Sequence, residues 1–304
     1  MATDFRPAAA NPVAGLAWML VTGLLFVAVT GIVKHVGDAV PAAQAAFLRY
    51  LLGLVFLIPM LPALMRVRVG PRGWALFGVR GVVHAGGVIL WFYAMTRIPI
   101  AEVTALNYLA PVFVTIGAVL FLGERLAARR VLALAAGLAG VLIILRPGFR
   151  EIDPGHLAML GTAVAFGASY LIAKRMAGEV SPAGVVAVLS ITVTVALAPF
   201  AWAVWVTPTW AQVFWLFLVA ALATTGHYTM TRAFAVAPVT VTQPVTFLQL
   251  VWATLLGVVV FGEAADGWVI VGGAVILASV SFISWREAML RRQRLTPPPE
   301  ATKL

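Results

Sequence analysis

Ala110–Arg130 reads APVFVTIGAVLFLGERLAARR and Val251–Asp266 reads VWATLLGVVVFGEAAD. Both are apolar runs that stop on a Gly-Glu pair, Gly123-Glu124 in the first and Gly262-Glu263 in the second. Glycine suits the residue that ends a helix, where a left-handed conformation is least costly without a Cβ. A carboxylate just beyond it meets the positive dipole end of the helix that follows. The punctuation therefore marks a tight hairpin between neighbouring helices, and Glu124 and Glu263 are read as structural rather than as ligand contacts.

The two runs belong to a longer correspondence. A shift of 139 or 140 positions sets Thr22 on Thr162, Phe26 on Phe166, Lys34 on Lys174, Pro59 on Pro199 and Pro99 on Pro238, besides the two Gly-Glu pairs. The chain is a duplication.

Composition says where each copy resides. Of 304 residues 62% are hydrophobic and 11% charged, with a mean hydropathy of +1.01, far outside the range of a soluble domain. Crossing the ~30 Å hydrocarbon layer takes about 20 helical residues, and only helices or closed barrels satisfy their backbone groups there. The apolar runs have that length and lack period-2 alternation, so the class is an all-α membrane protein. Spans are expected near Pro12–Val33, Ala42–Leu64, Gly73–Met95, Ile100–Phe121, Ala127–Leu145, Gly155–Met176, Pro182–Trp205, Ala211–Phe234, Val239–Phe261 and Gly267–Ser284. These ten transmembrane helices divide into five per copy. An odd number turns the second copy upside down, giving inverted repeats of the kind that place a site near the membrane midplane. The expected organisation is a cytoplasmic tail 1–11, a first repeat 12–147, a periplasmic connector 148–154, a second repeat 155–285 and a basic cytoplasmic tail 286–304. The first span lacks the basic flank and cleavage site of a removable signal and is expected to stay.

Fifteen cations lie in the tails and even-numbered loops: Arg6, Arg66, Arg68, Arg72, Arg125, Arg129, Arg130, Lys174, Arg175, Arg232, Arg286, Arg291, Arg292, Arg294 and Lys303. Four lie in the opposite loops: Lys34, Arg97, Arg146 and Arg150. Lys and Arg near span ends stay on the cytoplasmic side, so both termini are expected there, in the inner membrane of a bacterium. Beside membrane spans the net charge of +10 matches anionic headgroups rather than nucleic acid, and no nucleic-acid partner is expected. With no cysteine in the sequence, disulfides, thiol catalysis and cysteine-held metals are ruled out.

From Trp91 to Leu145 the sequence WFYAMTRIPIAEVTALNYLAPVFVTIGAVLFLGERLAARRVLALAAGLAGVLIIL, with an echo from Tyr228 to Val280, resembles EamA-type members of the drug/metabolite transporter superfamily. The resemblance covers essentially all ten spans. It implies two five-helix inverted repeats in which spans 1–4 and 6–9 surround a central cavity while spans 5 and 10 lie at the periphery. The chain departs from the family in the first span, where TGLLFV replaces a Trp-Gly, and at Leu250, which replaces the counterpart of Pro111. The nearest group by this resemblance is the amino-acid exporters of the YddG type.

No acidic residue falls in mid-span, and an intramembrane carboxylate is the usual proton relay, so transport is expected to be uncoupled or coupled through histidine. Glu102, just inside span 4, reads as a mouth residue or a partner of Arg97. Ionisable groups inside spans are costly and usually face a cavity. Span 3 carries Arg80, His84 and Trp91 on one stripe, with His84 near the midplane. Snorkelling toward the interface accounts equally well for Arg80 and for Arg49 of span 2. Span 4 sets Thr104, Tyr108, Pro111 and Thr115 on one face with Asn107 beside them, and span 9 answers with Gln243, Pro244, Thr246, Gln249 and Trp252. Proline-interrupted polar segments at matching places in two halves point to a binding site. Ser169 and Tyr170 in span 6, and His227 and Tyr228 in span 8, are weaker candidates that interhelical hydrogen bonding also explains. Gly86-Gly87, Gly137 and Gly272-Gly273 are expected to permit close helix packing.

The expected function is a transporter that exports small metabolites, most of all amino acids including aromatic and other neutral ones, by alternating access as a monomer without a cofactor. A passive channel, or an importer of another small organic solute, is the alternative. His35, His84, His156 and His227 occur singly, so no metal is expected. A membrane enzyme is disfavoured because His-Glu-x-x-His, paired intramembrane aspartates and Gly-x-Ser-x-Gly are all missing. The topology predicts that single cysteines introduced in Gly37–Val40 or Thr207–Thr209 react with an impermeant maleimide outside sealed cells. Those in Val67–Arg72 should stay unlabelled, and labelling there would overturn the assignment.

Overall fold

The computed structural model describes residues 11–122, 128–176, 180–237, 242 and 245–295. Apart from one isolated bridge between Pro147 and Arg150, the regular structure among them is helical. In chain order the α-helices are α1 (Pro12–Val36), α2 (Ala42–Gly53), α3 (Leu61–Met65), α4 (Pro71–Arg97), α5 (Ile100–Asn107), α6 (Ala110–Leu122), α7 (Ala128–Leu145), α8 (Pro154–Met176), α9 (Pro182–Ala203), α10 (Trp210–Val236), α11 (Thr246–Phe261) and α12 (Gly267–Leu295).

Local chemistry sets the ends of these helices. Asn11 caps α1 by accepting from Ala14 N–H at 3.0 Å, with Pro12 in the first turn, where its missing N–H costs nothing. Thr209 and Gln212 form a capping box at the start of α10. Gly262, at φ 65°, ends α11 in the left-handed conformation expected from the sequence.

Among the described residues eight helices are long and apolar enough to cross a membrane, and two shorter apolar helices, Val131–Leu145 and Thr246–Phe261, stand where the fifth and ninth spans were expected. Gly123, Glu124, Pro238, Gln243 and Pro244 lie outside the described residues. Two expected spans are not continuous α-helix. Around Pro59 the second passes through a 3-10 stretch, Leu54–Met60, before α3, because proline withholds an N–H from the ladder. The fourth breaks at Tyr108-Leu109, just ahead of Pro111, into α5 and α6.

Packing pairs the two halves of the chain. α1 lies along α10 and, equivalently under the repeat, α4 along α8; α2 meets α9, α5 meets α11, and α7 meets α12. Equivalent helices point in opposite directions. The start of α1 lies with the end of α10, where Asn11 N–H donates to Val236 O at 2.9 Å. The start of α8 lies at the far end of the bundle, where a Cβ on Gly155 would meet Ile98 and Arg97 and where Lys34 Nζ donates to Ile98 O at 2.9 Å.

Without hydrophobic drive inside a bilayer, helix association depends on close contact and hydrogen bonding. α7 and α12 cross at Gly140 and Gly272, each of which would place a Cβ within 2.6–2.7 Å of the other's carbonyl oxygen. Ser279 donates to Ala133 O at 2.5 Å along the same crossing. Gly87 packs on Phe166 and Gly273 on Leu250 as expected, while Gly86 has no such neighbour and does not serve packing.

The Lys34 end of the bundle is tied by ion pairs that cross between halves. Glu102 accepts from Arg150 Nη1 and Nη2 at 2.8 and 2.7 Å and from His156, and Arg146 pairs with Asp266. The hydrogen-bonded Glu102 carboxylate pushes the Arg150 guanidinium pKa up, toward the charged form. Arg97, the partner expected for Glu102, lies instead over the Tyr93 ring at 4.9 Å. Glu263 also departs from expectation. Its carboxylate pairs with Lys34 at 2.5 Å and accepts the Ile100 N–H at 2.9 Å, so it caps α5 of the other half rather than the helix that follows it. That following helix is capped by Asp266, which accepts Trp268 N–H at 2.9 Å.

Glu102→Ala removes the buried acid that holds the partly buried Arg150 and the buried His156 together and should destabilise the purified protein by about 3 kcal/mol. Gly140→Val should cost about 1–3 kcal/mol through overpacking against α12. Thermal melting in detergent checks both, and an unchanged midpoint in either variant contradicts the corresponding contact.

Candidate functional site

A cavity of about 270 Å³ lies midway along the bundle and draws its lining from both halves. α1 contributes Met19, Thr22, Phe26 and Thr30, α2 contributes Arg49 and Tyr50, and α4 contributes His84 and Trp91. The broken fourth span gives Thr104, Asn107, Tyr108 and Pro111. From the second half come Phe166 and Tyr170 of α8, His227 and Met230 of α10, and Thr246 and Gln249 of α11.

The break at Tyr108-Leu109 shapes one wall. Where the helix pauses, Tyr108 donates its hydroxyl to Thr246 O at 2.7 Å, joining the interrupted span to the start of α11. Asn107, the last residue of α5, is left at the cavity with its Oδ1 enclosed and without a hydrogen-bond partner.

Opposite this wall stands an aromatic group centred on His84. The imidazole stacks on Phe166 with centroids 4.7 Å apart, its Nδ1 is 3.1 Å from Ser169 Oγ and its Nε2 is 3.1 Å from Tyr50 OH. Both ring nitrogens are therefore engaged, and His84 orients its neighbours as much as it faces the cavity. The Arg49 guanidinium lies 4.2 Å above the Tyr50 ring, a cation–π contact that leaves its N–H edges free for other acceptors. Trp91 meets Phe166 edge-on at 6.3 Å, and its Nε1–H is enclosed and unpartnered. In the second half His227 meets Phe26 edge-on at 5.2 Å. Among the described lining residues no carboxylate occurs.

Of the candidates named from the sequence, Arg49, His84, Trp91, Thr104, Asn107, Tyr108, Pro111, Tyr170, His227, Thr246 and Gln249 line this one cavity, while Thr115, Ser169 and Tyr228 do not. Arg80, Trp252 and Gln243 do not join them either. Arg80 is buried one turn from His84 and donates to Val185 O at 3.4 Å without reaching the cavity wall. Trp252 is 37% exposed on the outer face of α11, since three residues beyond Gln249 turn a helix by roughly 60° away from it. Gln243 lies outside the described residues.

Sequence reading passed over Tyr50, Phe26 and Phe166. The signal for the last two was present in the repeat, which sets Phe26 on Phe166. In the structure each packs on a glycine of a helix from the other half, Phe26 on Gly226 and Phe166 on Gly87.

Comparison with known proteins agrees with this architecture. The model of the EamA-like transporter family matches residues 13–146 and again 153–285. A riboflavin transporter of Vibrio cholerae is 30% identical over 293 residues, 93% of this chain and 97% of that protein. An S-adenosylmethionine uptake transporter of Rickettsia bellii is 24% identical over 273 residues, covering 90% of this chain and 94% of its own. The pseudopaline exporter CntI of Pseudomonas aeruginosa is 27% identical over 274 residues, covering 89% and 95%. With both halves matched by one family of transporters rather than enzymes, the chain belongs to the EamA-like transporter family and is a multi-pass membrane protein that carries a small molecule across a lipid bilayer.

Proposed function

We propose that this transporter is an alternating-access carrier of ten spans in two five-helix inverted repeats, and that it moves a flat, hydrogen-bonding heteroaromatic solute of the riboflavin kind. The observation that carries the reading is the cavity itself. It sets aromatic faces from both halves beside amide, imidazole and guanidinium groups, with no carboxylate among its described lining residues. Aromatic walls favour a planar ring, because offset and edge-on ring contacts add to the burial of the ring's area. The contacts assigned to the solute are Trp91, Asn107, Gln249, Tyr170, His227 and Arg49, with Tyr108 and His84 holding the walls.

The amino-acid cargo expected from sequence finds no support in the names of the relatives. A cationic group in the cavity meets the charge of Arg49 with no acid among the described lining residues to offset it, which disfavours cationic solutes such as S-adenosylmethionine. Direction follows the solute gradient on this reading, since the relatives include both an uptake transporter and an exporter and no carboxylate relay lies in the cavity.

Alternation needs one end of the bundle closed while the other opens. The network of Lys34, Glu102, Arg146, Arg150, His156, Glu263 and Asp266 crosses between halves, so its end can open only when those pairs separate. We assign that end to the periplasm of a bacterial inner membrane, because Arg66, Arg68, Arg72, Arg175 and Arg232 gather at the other end and cations are retained in the cytoplasm.

Proteoliposomes loaded with riboflavin should exchange it saturably for labelled riboflavin outside, and the exchange should persist after the proton gradient is collapsed. Gln249→Ala should lower exchange by about tenfold, as expected when a solute loses one hydrogen bond to an enclosed partner, with protein yield unchanged. Exchange of amino acids but not of riboflavin would sink the solute assignment. Strict dependence on the proton gradient would sink the uncoupled mechanism.

A further inference from the structure

Arg49 and Arg80 stand inside membrane spans, and among the described residues neither meets an acid. Arg80, 5% exposed, reaches only the Val185 carbonyl at 3.4 Å and leaves its Nε unbonded. Arg49 lies over the Tyr50 ring at 4.2 Å and lines the cavity, with no hydrogen bond or ion pair among the described residues. The two cations flank one pair of rings. Tyr50, beneath Arg49, has its hydroxyl 3.1 Å from His84 Nε2, and Arg80 precedes His84 by one turn of α4. Snorkelling does not account for Arg49, because its guanidinium rests on Tyr50 at the wall of the mid-bundle cavity instead of extending to the end of the bundle. A cation held in a low-dielectric slab is costly without a counter-charge, and intramembrane cations as a rule face the path of the ligand that supplies it.

We infer that Arg49 is the anion-binding end of the solute site, and that the solute carries a phosphate monoester joined to its planar ring by a flexible chain. A guanidinium stacked on an aromatic ring keeps its N–H edges directed outward, a fork that pairs two phosphate oxygens at once. Near neutral pH a phosphate monoester bears close to two negative charges, against one for a carboxylate, so it offsets Arg49 and the nearby Arg80 together. No acid among the described lining residues stands in the cavity to repel it. The aromatic walls and the cation are separate features of the lining, and a flexible chain between ring and phosphate lets each find its own partner without a fixed distance between them. The inference rests on the solute class proposed above and adds a charge to it.

Riboflavin and its phosphate monoester are the probes, with binding to the detergent-purified full chain in phosphate-free buffer read by quenching of flavin fluorescence. The wild type should bind the ester about tenfold or more tightly than riboflavin, the gain expected from a charge-assisted contact in an enclosed site. Arg49→Gln keeps a polar side chain without the charge and should abolish the preference, while Arg49→Lys, which keeps the charge without the fork, should retain only part of it. The ratio of the two flavins is what is read, so a general weakening in a variant does not mimic the result. Equal binding by the wild type, or tighter binding of riboflavin, overturns the anion subsite and leaves the proposed solute class standing. Binding of neither flavin overturns both. A rise in riboflavin affinity on adding inorganic phosphate, with no preference for the ester, assigns the counter-charge to a separate ion and overturns the phosphate on the solute. A full preference surviving in Arg49→Gln overturns the role of Arg49. Should Arg49→Gln fail to fold, the wild-type ratio together with Arg49→Lys still decides, because an unchanged ratio in Arg49→Lys contradicts the forked contact.

Discussion

The pairing of Glu102 with Arg150 and His156 is the interaction on which the closed end of the bundle depends. Within a low-dielectric slab a carboxylate is tolerable only with its counter-charges in contact, and Glu102 meets three nitrogens while standing in the first turn of α5. Those partners come from the connector and from α8, so satisfying one charge draws the second half of the chain onto the first. Glu263 does the same in the other sense, leaving its own half to hold Lys34 and the first N–H of α5. The start of α5 is therefore held by acids and cations from several elements, and α5 is the helix whose end opens onto the cavity.

That arrangement gives the cation count a different meaning. Lys34, Arg146 and Arg150, three of the four cations at the expected outer end, are each in contact with an acid. In the folded protein their charge is largely neutralised by these pairs. A count along the sequence sees four free cations, whereas among the described residues Lys34, Arg146 and Arg150 each meet an acid and Arg97 rests on a tyrosine ring.

The duplication, the helical class and the position of the cavity were legible because they rest on local rules: apolar run length, a glycine beyond a helix end, proline in mid-span. What could not be read was any feature set by a partner distant in sequence. Glu263 looked like a cap for its own next helix, and its nearest orphan N–H in space belongs to Ile100, 163 residues away. Trp252 seemed to share a face with Gln249, but the cavity subtends too narrow an arc of α11 to hold both. Arg80 followed the stripe of His84 and Trp91, yet a long side chain one turn lower finds a backbone carbonyl on α9 first.

The two halves share some cavity features and differ in others. Phe26 and Phe166 are equivalent, and each is seated on a glycine of the opposing half, so the duplicated unit supplies two matched aromatic walls. The groups beside those walls do not match. His84 stacks flat on Phe166 with both nitrogens bonded, whereas His227 meets Phe26 edge-on, and Arg49 has a cation–π seat on one side only. A symmetric scaffold allows the two ends to exchange roles, since equivalent helices can adopt each other's packing. An asymmetric lining gives a bound solute one preferred orientation. Retaining symmetry in the glycine and aromatic positions while varying the polar ones lets rocking of the halves and recognition of the solute be set by different residues.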